Sequence, residues 1–401
     1  MSELFNLYML GGDPGEDAHL VHRFPFGADR RPVHGVAEMK KNAMPTGTLQ
    51  GWGALQCVDS VNGLLYVYVV RENALVELRA SDLGVVNRLT HQGQVPEYAA
   101  LAAGFRQKPF ANQRLYTIGN RSDGARRLEL WTFVAPQNGT RATISSDESD
   151  LTQDYRQAAG VAVSGSGLYV YVIVNTADGD GGLLVAAPGQ GGFAAVRDEA
   201  ADGVADGGRE VVYDSGNVIR KYVTVPRPQQ IAVSDTAKPF ALVVGEDGGL
   251  TQFDTHHMWS RNFMQSPNSG QDYRLPGKPG AVVHVHGDVF AVVTSANQLA
   301  FVDASRPYAD GVQLVDLPKE ADGAWPVIGM VGDRLYCCYA IMGPHDPDKY
   351  KDKYHDRFTG KAALLTFDAA TRARVGDPVG PFDLAAKAQL MWESALIAGP
   401  L

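Results

Sequence analysis

The sequence predicts an all-β fold in which seven four-stranded antiparallel blades close into a ring, and three observations predict it. A small residue followed by Leu-Tyr or a near equivalent opens an apolar strand at Leu7-Tyr8, Leu65-Tyr66, Leu115-Tyr116, Leu168-Tyr169, Phe240-Ala241, Val289-Phe290 and Leu335-Tyr336. Successive copies lie roughly 45 to 70 residues apart, the spacing of units that cannot bury their own apolar face and stack on copies of themselves. Around each copy the same parts come in the same order. Finally, the two ends of the chain hold complementary fragments of one such unit.

The clearest unit shows why each part is a strand. Gly53 to Val58 is a short, mostly apolar run, and Ser60-Val61-Asn62-Gly63 is a turn by composition. Leu64 to Val70 follows, then Arg71-Glu72-Asn73, then Ala74 to Ala80; after Ser81-Asp82-Leu83-Gly84 a fourth strand begins at Val85. Inner strands of later units are expected at Ala99 to Ala103, Gly160 to Val163, Ile231 to Ser234, Val282 to His286 and Val327 to Val331. Third strands are expected at Arg127 to Phe133, Gly182 to Ala186, Leu250 to Asp254, Gln298 to Asp303 and Ala362 to Asp368. Several of these end in Asp and a small or polar turn, as at Asp303-Ala304-Ser305 and Asp368-Ala369-Ala370-Thr371. An Asp side chain there accepts from backbone two residues on and closes an Asx turn.

At the termini, Asn6 to Leu10 is a Leu-Tyr strand with no inner strand before it, and Glu393 to Gly399 reads as an inner strand with no blade after it. Joined, they make one blade with His19 to Phe24 and Val33 to Met39, and pairing them covers otherwise open sheet edges. A single domain over residues 1–401 is therefore expected, its seventh blade made of 389–399 plus 5–39 and the other six lying within 50–388.

This order of parts resembles the seven-bladed β-propellers of the broad class that includes WD40-like and lactonase-like proteins, over essentially the whole chain. The resemblance rests on periodicity and strand order. No Gly-His and Trp-Asp pair recurs per blade, and with 5 tryptophans the docking repeat of the quinoprotein dehydrogenases is absent.

Composition narrows the setting. Hydrophobic residues make up 45% and charged residues 20%, which suits a packed globular chain. A formal charge of −9 offers no basic footprint for nucleic acid or an anionic membrane, so neither is expected as a partner. Met1 to Leu10 has no basic region and is followed by Gly11-Gly12-Asp13-Pro14-Gly15, unlike a signal peptide. Cys57, Cys337 and Cys338 make no disulfide framework, and a reducing, cytoplasmic setting is the expectation.

In a propeller, the loops entering each inner strand share one face with the loops between second and third strands. This chain puts its long connections there: Pro25 to Leu49, Arg197 to Pro228, Gln265 to Gly280 and the insertion Met342 to Lys361. Long loops in compact domains are often functional. Residues just before or on the inner strands are then the candidate ligand-binding set at the channel mouth: Trp52, Glu97, Tyr98, Arg156, Gln157, Gln230, His284, His286, Trp325, Trp392 and Glu393, with Lys278 in the same relation to its strand. Aromatic rings, amides and a few charges suit a small polar ligand, rings covering apolar faces and amides fixing orientation. The same residues could instead plug the mouth and satisfy backbone groups.

His284 and His286 point the same way from one strand, a spacing open to metal binding or acid–base work, but no local cluster supplies further ligands, so no metal is expected. Hydrogen bonding of one or both between blades is the plainer reading. His256-His257 read as structural or exposed. The Asp346, Asp348 and Asp352 oxygens lack the Gly and Glu of a calcium loop, and Asp178-Gly179-Asp180-Gly181-Gly182 reads as a hairpin turn. Gly189-Gln190-Gly191-Gly192 has no lysine and no following helix for phosphate, and no Gly-x-Ser-x-Gly elbow occurs. Nothing in the sequence specifies a cofactor. The function expected is therefore recognition of a protein or small polar ligand on the long-loop face. A lactonase-, hydrolase- or lyase-type enzyme with its site in the channel, and a carbohydrate-binding propeller, are the alternatives.

Overall fold

Short runs rich in Val, Leu, Tyr and Phe, broken by Gly, Asp and Asn, fold as strands throughout. The structure is a computed structural model that describes residues 3–13, 18–27, 54–59, 64–69, 74–90, 99–104, 114–120, 128–134, 143–149, 155–163, 170–176, 180–186, 193–196, 209–212, 225–236, 240–254, 259–262, 274–306, 308–321, 326–344, 357–383 and 396–400. Among them there is no α-helix; Tyr308–Gly311 and Lys319–Ala321 form short 3-10 turns. No helix among these residues is long and apolar enough to cross a membrane.

The chain opens with the antiparallel hairpin β1 (Glu3–Asp13) and β2 (Ala18–Gly27). Next come two meanders of four strands paired in chain order: β3 (Ala54–Asp59), β4 (Leu64–Val69), β5 (Ala74–Arg79), β6 (Val85–Thr90), then β7 (Ala99–Gly104), β8 (Arg114–Asn120), β9 (Leu128–Val134), β10 (Thr143–Ser149). A third runs through β11 (Tyr155–Val163), β12 (Val170–Thr176), β13 (Asp180–Ala186) and β14 (Phe193–Val196). After β15 (Arg209–Val212) and β16 (Val225–Pro226) comes a fourth, β17 (Pro228–Val233), β18 (Phe240–Gly245), β19 (Leu250–Asp254), β20 (Trp259–Asn262). The fifth is β21 (Pro279–His286), β22 (Val289–Thr294), β23 (Gln298–Asp303), β24 (Val312–Asp316), and the sixth β25 (Val327–Val331), β26 (Arg334–Met342), β27 (Phe358–Asp368), β28 (Val379–Asp383). Last, β29 (Leu396–Pro400) pairs antiparallel with β1, Met9 opposite Leu396 and Phe5 opposite Pro400. The strand expected at Val33 to Met39 lies outside the described residues.

Two features depart from uniform four-stranded blades. β15 falls inside the expected Arg197 to Pro228 loop, yet it pairs with β14 on one side and β20 on the other, merging two meanders into one 10-stranded sheet. β16, from the same connection, pairs with Asp180 and Gly181 of β13. The outermost strand of a meander presents unpaired N–H and C=O groups, and a long connection running past it satisfies them by adding a strand.

Burial shows how the sheets are used. All six residues of β22 are buried, as are Leu335 to Ala340 of β26. Successive side chains leave a strand on opposite faces, so both faces of these sheets are covered by protein, as stacked blades require and an open, half-solvated sheet does not. The Asx turn forms as expected at Asp303, whose Oδ1 accepts from Ser305 N at 3.1 Å and Oγ at 2.6 Å; Asp368 Oδ1 instead accepts from a residue three on, Thr371 N at 2.8 Å and Oγ1 at 2.9 Å. In both sheets the next residue ties back to the first turn, Ala304 N to Asp288 O at 2.8 Å and Ala369 N to Asp333 O at 2.9 Å.

The chain forms two compact units, Met1–Thr90 with Ala291–Ala300 and Leu314–Leu401, and His91–Phe290 with Phe301–Gln313. Within the first, β29 lies beside β3 and β25. Phe26 of the same unit packs edge to face on Phe382, ring centres 6.2 Å apart. Within the second, β7, β11, β17 and β21 lie side by side in that order. In each unit the first strands of successive meanders lie next to one another.

Candidate functional site

The best-built polar surface lies where a strand start, a second-to-third-strand turn and an incoming connection meet. The β18–β19 turn, Glu246-Asp247-Gly248-Gly249, is tightened by Gly248 N to Gly245 O at 3.0 Å and by Asp247 Oδ1, which accepts from Gly249 N at 3.0 Å. Leu275 N donates to Gly248 O at 2.8 Å, docking the connection that leads to β21. Gly248 has φ +83, and a Cβ there would be driven into the Leu275 carbonyl oxygen. Only glycine fits that backbone and that approach.

On this frame three cations meet two carboxylates. Glu246 N donates to Arg227 O at 2.8 Å, setting Arg227 beside the turn. Lys278 Nζ is 3.2 Å from Glu246 Oε1, Arg227 Nη1 is 3.7 Å from Glu246 Oε2, and Arg274 pairs with Asp247. The side chains of Arg227 and Lys278 are each 66% exposed and that of Arg274 49%, so these pairs are solvent-screened and contribute little to stability. Arg227 also holds φ +40, a left-handed conformation that a residue with a Cβ adopts at a cost.

Here an incoming connection and a second-to-third-strand turn touch residue by residue. Such contact recurs at the β22–β23 turn, where Asn297 Nδ2 donates to Leu317 O at 3.2 Å and Pro318 O at 3.1 Å, and Leu317 N returns a bond to Asn297 O at 2.9 Å.

Of the residues singled out from sequence, Gln230 is exposed on β17, and Arg156 and Gln157 lie on β11. These strands start earlier than their apolar runs suggested. The pairing register slips between Tyr155 and Gln157, between Pro228 and Gln230, and in β3 between Leu55 and Cys57. Each slip puts an extra residue, Arg156, Gln229 or Gln56, at the start of an inner strand, and bulges of this kind re-aim side chains at strand ends next to sites. Trp52, Glu97, Tyr98, Trp325, Trp392 and Glu393 lie outside the described residues, as do His256-His257 and the Asp346, Asp348 and Asp352 oxygens.

His284 and His286 sit at the other end of β21 from Lys278, about 20 Å along the strand by its ordinary rise. His284 is half-buried, Nε2 donates to Gly287 O at 2.7 Å and stands 3.6 Å from Asp235 Oδ1, and the ring meets Phe290 edge-on. Beside it, Asp288 Oδ1 accepts from Ser234 Oγ at 3.3 Å and Thr236 Oγ1 at 3.2 Å, linking the β17–β18 turn to the β21–β22 turn. His286 is exposed. Among the described residues no group of three or more His, Cys, Asp or Glu side chains could hold a metal ion.

Sequence reading missed two things. The Arg227, Arg274 and Lys278 convergence has no local signal, because partners lie 19 to 32 residues apart on separate loops. Glu77 is 2% exposed on β5, with Oε1 unpartnered among the described residues; burial raises its pKa, and a hydrogen bond from Asn87 works the other way. Its acidic character in an otherwise apolar strand was the available hint.

No family profile matches the chain, and no curated protein matches it. Among solved structures it is similar to apo AztD from Citrobacter koseri, at 11% identity over 99% of this chain and 98% of that chain, with a TM-score of 0.51. A second structure of Citrobacter koseri AztD is 12% identical over 100% of both chains with a TM-score of 0.48. A chain of the nidogen/laminin complex is 11% identical over 98% of both with a TM-score of 0.44. At such identities the likeness is one of fold, a propeller-type all-β architecture.

Proposed function

We propose that the protein is a binding propeller, one domain of seven blades whose inner strands are β3, β7, β11, β17, β21, β25 and β29, and that it recognises a small polar ligand on the face carrying the long loops. The observation that carries this reading is the meeting of Arg227, the 246–249 turn and the 274–278 connection on one rigid frame with exposed polar side chains. The glycine-locked turn and the left-handed Arg227 hold these side chains on a fixed backbone, which supports the reading. The inner-strand bulges at Gln56, Arg156 and Gln229 support it, as does the sequence placement of Trp52, Trp325 and Trp392 just before other inner strands. The absence of basic excess fits a ligand other than nucleic acid, and the cysteine usage fits a cytoplasmic setting.

The test is a thermal-shift screen against sugars, lactones and nucleotides. A binder at a hundredfold its dissociation constant raises stability by about 2.7 kcal/mol. The shift is expected to vanish in Gln230→Ala or Trp325→Ala and to survive in Leu314→Ser, on the exposed side of an outermost strand. A shift that survives both of the first two variants removes the long-loop face from the reading.

A further inference from the structure

We propose that the ligand carries an anionic group, a carboxylate or a phosphate, and that Arg227, Arg274 and Lys278 receive it; this rests on the reading of the long-loop face as the recognition surface. The whole chain has a formal charge of −9, so an anion is repelled by the average surface and favoured only where cations collect. Here, among the described residues, the three cations Arg227, Arg274 and Lys278 gather around Glu246 and Asp247 on loops that approach each other closely.

The pairing is unequal in a way that suits exchange. Glu246 is shared, one oxygen to Lys278 at 3.2 Å and the other to Arg227 at a loose 3.7 Å. A guanidinium presents five donors in a planar fork that matches two oxygens of a carboxylate or phosphate, and one long contact to Glu246 uses little of that capacity. Glu246 thus acts as an internal stand-in for the ligand's anion, holding Arg227 and Lys278 in place until a better-matched group arrives. The backbone at Arg227 is fixed by the bond from Glu246 N and by the sharp entry into β17, so the guanidinium is presented from a stem that is already ordered, which lowers the entropic cost of binding. Arg274, tied to Asp247 on the next residue of the same turn, stands one position along the frame and adds a second fork.

The experiment is a titration of the full chain with inorganic phosphate in one arm and citrate in the other, at constant ionic strength set with sodium chloride. Binding is read by calorimetry and by the arginine Nε–H resonances in NMR spectra. Saturable binding in the millimolar range or tighter is expected, with the stronger arm naming phosphate or carboxylate as the natural group. The double variant R227Q/R274Q should weaken it by about tenfold or more, and E246Q, which removes the internal competitor while keeping shape, should strengthen it several-fold. Arg227 and Arg274 are exposed and Glu246 half-exposed, and unchanged melting temperatures would show that the variants fold. Absence of saturable binding in both arms, or binding unaltered in R227Q/R274Q, overturns the proposal. If in that case a neutral sugar still gives a Gln230-dependent thermal shift, the recognition face stands and only the anion is wrong; if no ligand depends on Gln230 or Trp325, both readings fall.

Discussion

Lys278 Nζ stands 3.2 Å from Glu246 Oε1 across 32 residues of chain, and this one contact ties the connection entering β21 to a turn inside the preceding meander. The pair is exposed, so its value is positional more than energetic. What holds the two loops together is the backbone bond from Leu275 to Gly248 beneath it.

That bond makes Gly248 the sensitive position of the frame. Gly248→Ala must place a Cβ at φ +83 against the Leu275 carbonyl, and a loss of roughly 2 to 4 kcal/mol in urea unfolding is expected. Gly287→Ala is the control: it has φ +56 but nothing within 4 Å of the added Cβ, so only the backbone cost of about 1 kcal/mol should appear. Equal losses at the two positions would show that the loop frame imposes no constraint of its own.

Two carboxyls should give opposite pH signatures. The Thr371 amide and hydroxyl, with the Arg334 guanidinium, hold the Asp368 carboxyl down to about 2. A carboxyl lowered in the fold contributes stability that is present above its unfolded value of about 4 and is lost as pH falls through about 2. The stability gap between the protein and Asp368→Asn is therefore widest at neutral pH and closes across that acid window. Glu77 is raised by burial, so its contribution is present below the unfolded value and lost as pH rises. Glu77→Gln should stabilise the protein at about pH 8 and do little at about pH 4, measured by urea titration at each pH.

Cys337 and Cys338 are both fully buried on β26. Burial pushes the Cys338 thiol up to about 12, and burial with Cys338 alongside pushes Cys337 up as well. Because the thiolate is the reactive form, neither should be alkylated by iodoacetamide in the native protein, and both should react once urea unfolds it. Peptide mapping by mass spectrometry reads the two sites separately from Cys57. Rapid native labelling of either would mean that β26 is reached by solvent from one face.

Removing Leu396–Leu401 strips β29 from β1 and leaves the Phe5 to Met9 edge unpaired. A loss on the order of several kcal/mol and a lower melting temperature are expected. A truncated protein that melts with the full chain would show that the pairing of the two termini carries no stability.

Much of the strand pattern was legible beforehand because burial and turns are local. The β25, β19 and β23 spans match the apolar runs from which they were expected, and Asp303 closes the Asx turn that its neighbours implied, whereas Asp368 reaches one residue further, to Thr371. The long loop from Arg197 was misleading in one respect: β15 within it pairs two outer strands, since hydrogen bonding of an exposed edge depends on what passes by and not on the apolar content of the passing segment. The bulges that move Gln229 and Arg156 off the regular ladder also left no apolar signature.

Residue order by itself determined an all-β chain of repeated meanders, the turns that separate their strands and the pairing of its last strand with its first. Tertiary structure alone decided that Arg227, Arg274 and Lys278 gather on Glu246 and Asp247, and that His284 is tied to Gly287 and Asp235 at the opposite end of its strand. Spacing of apolar side chains encodes which residues face a core, whereas the meeting of charges from separate loops depends on how neighbouring strands and their connections dock, which no stretch of sequence carries alone.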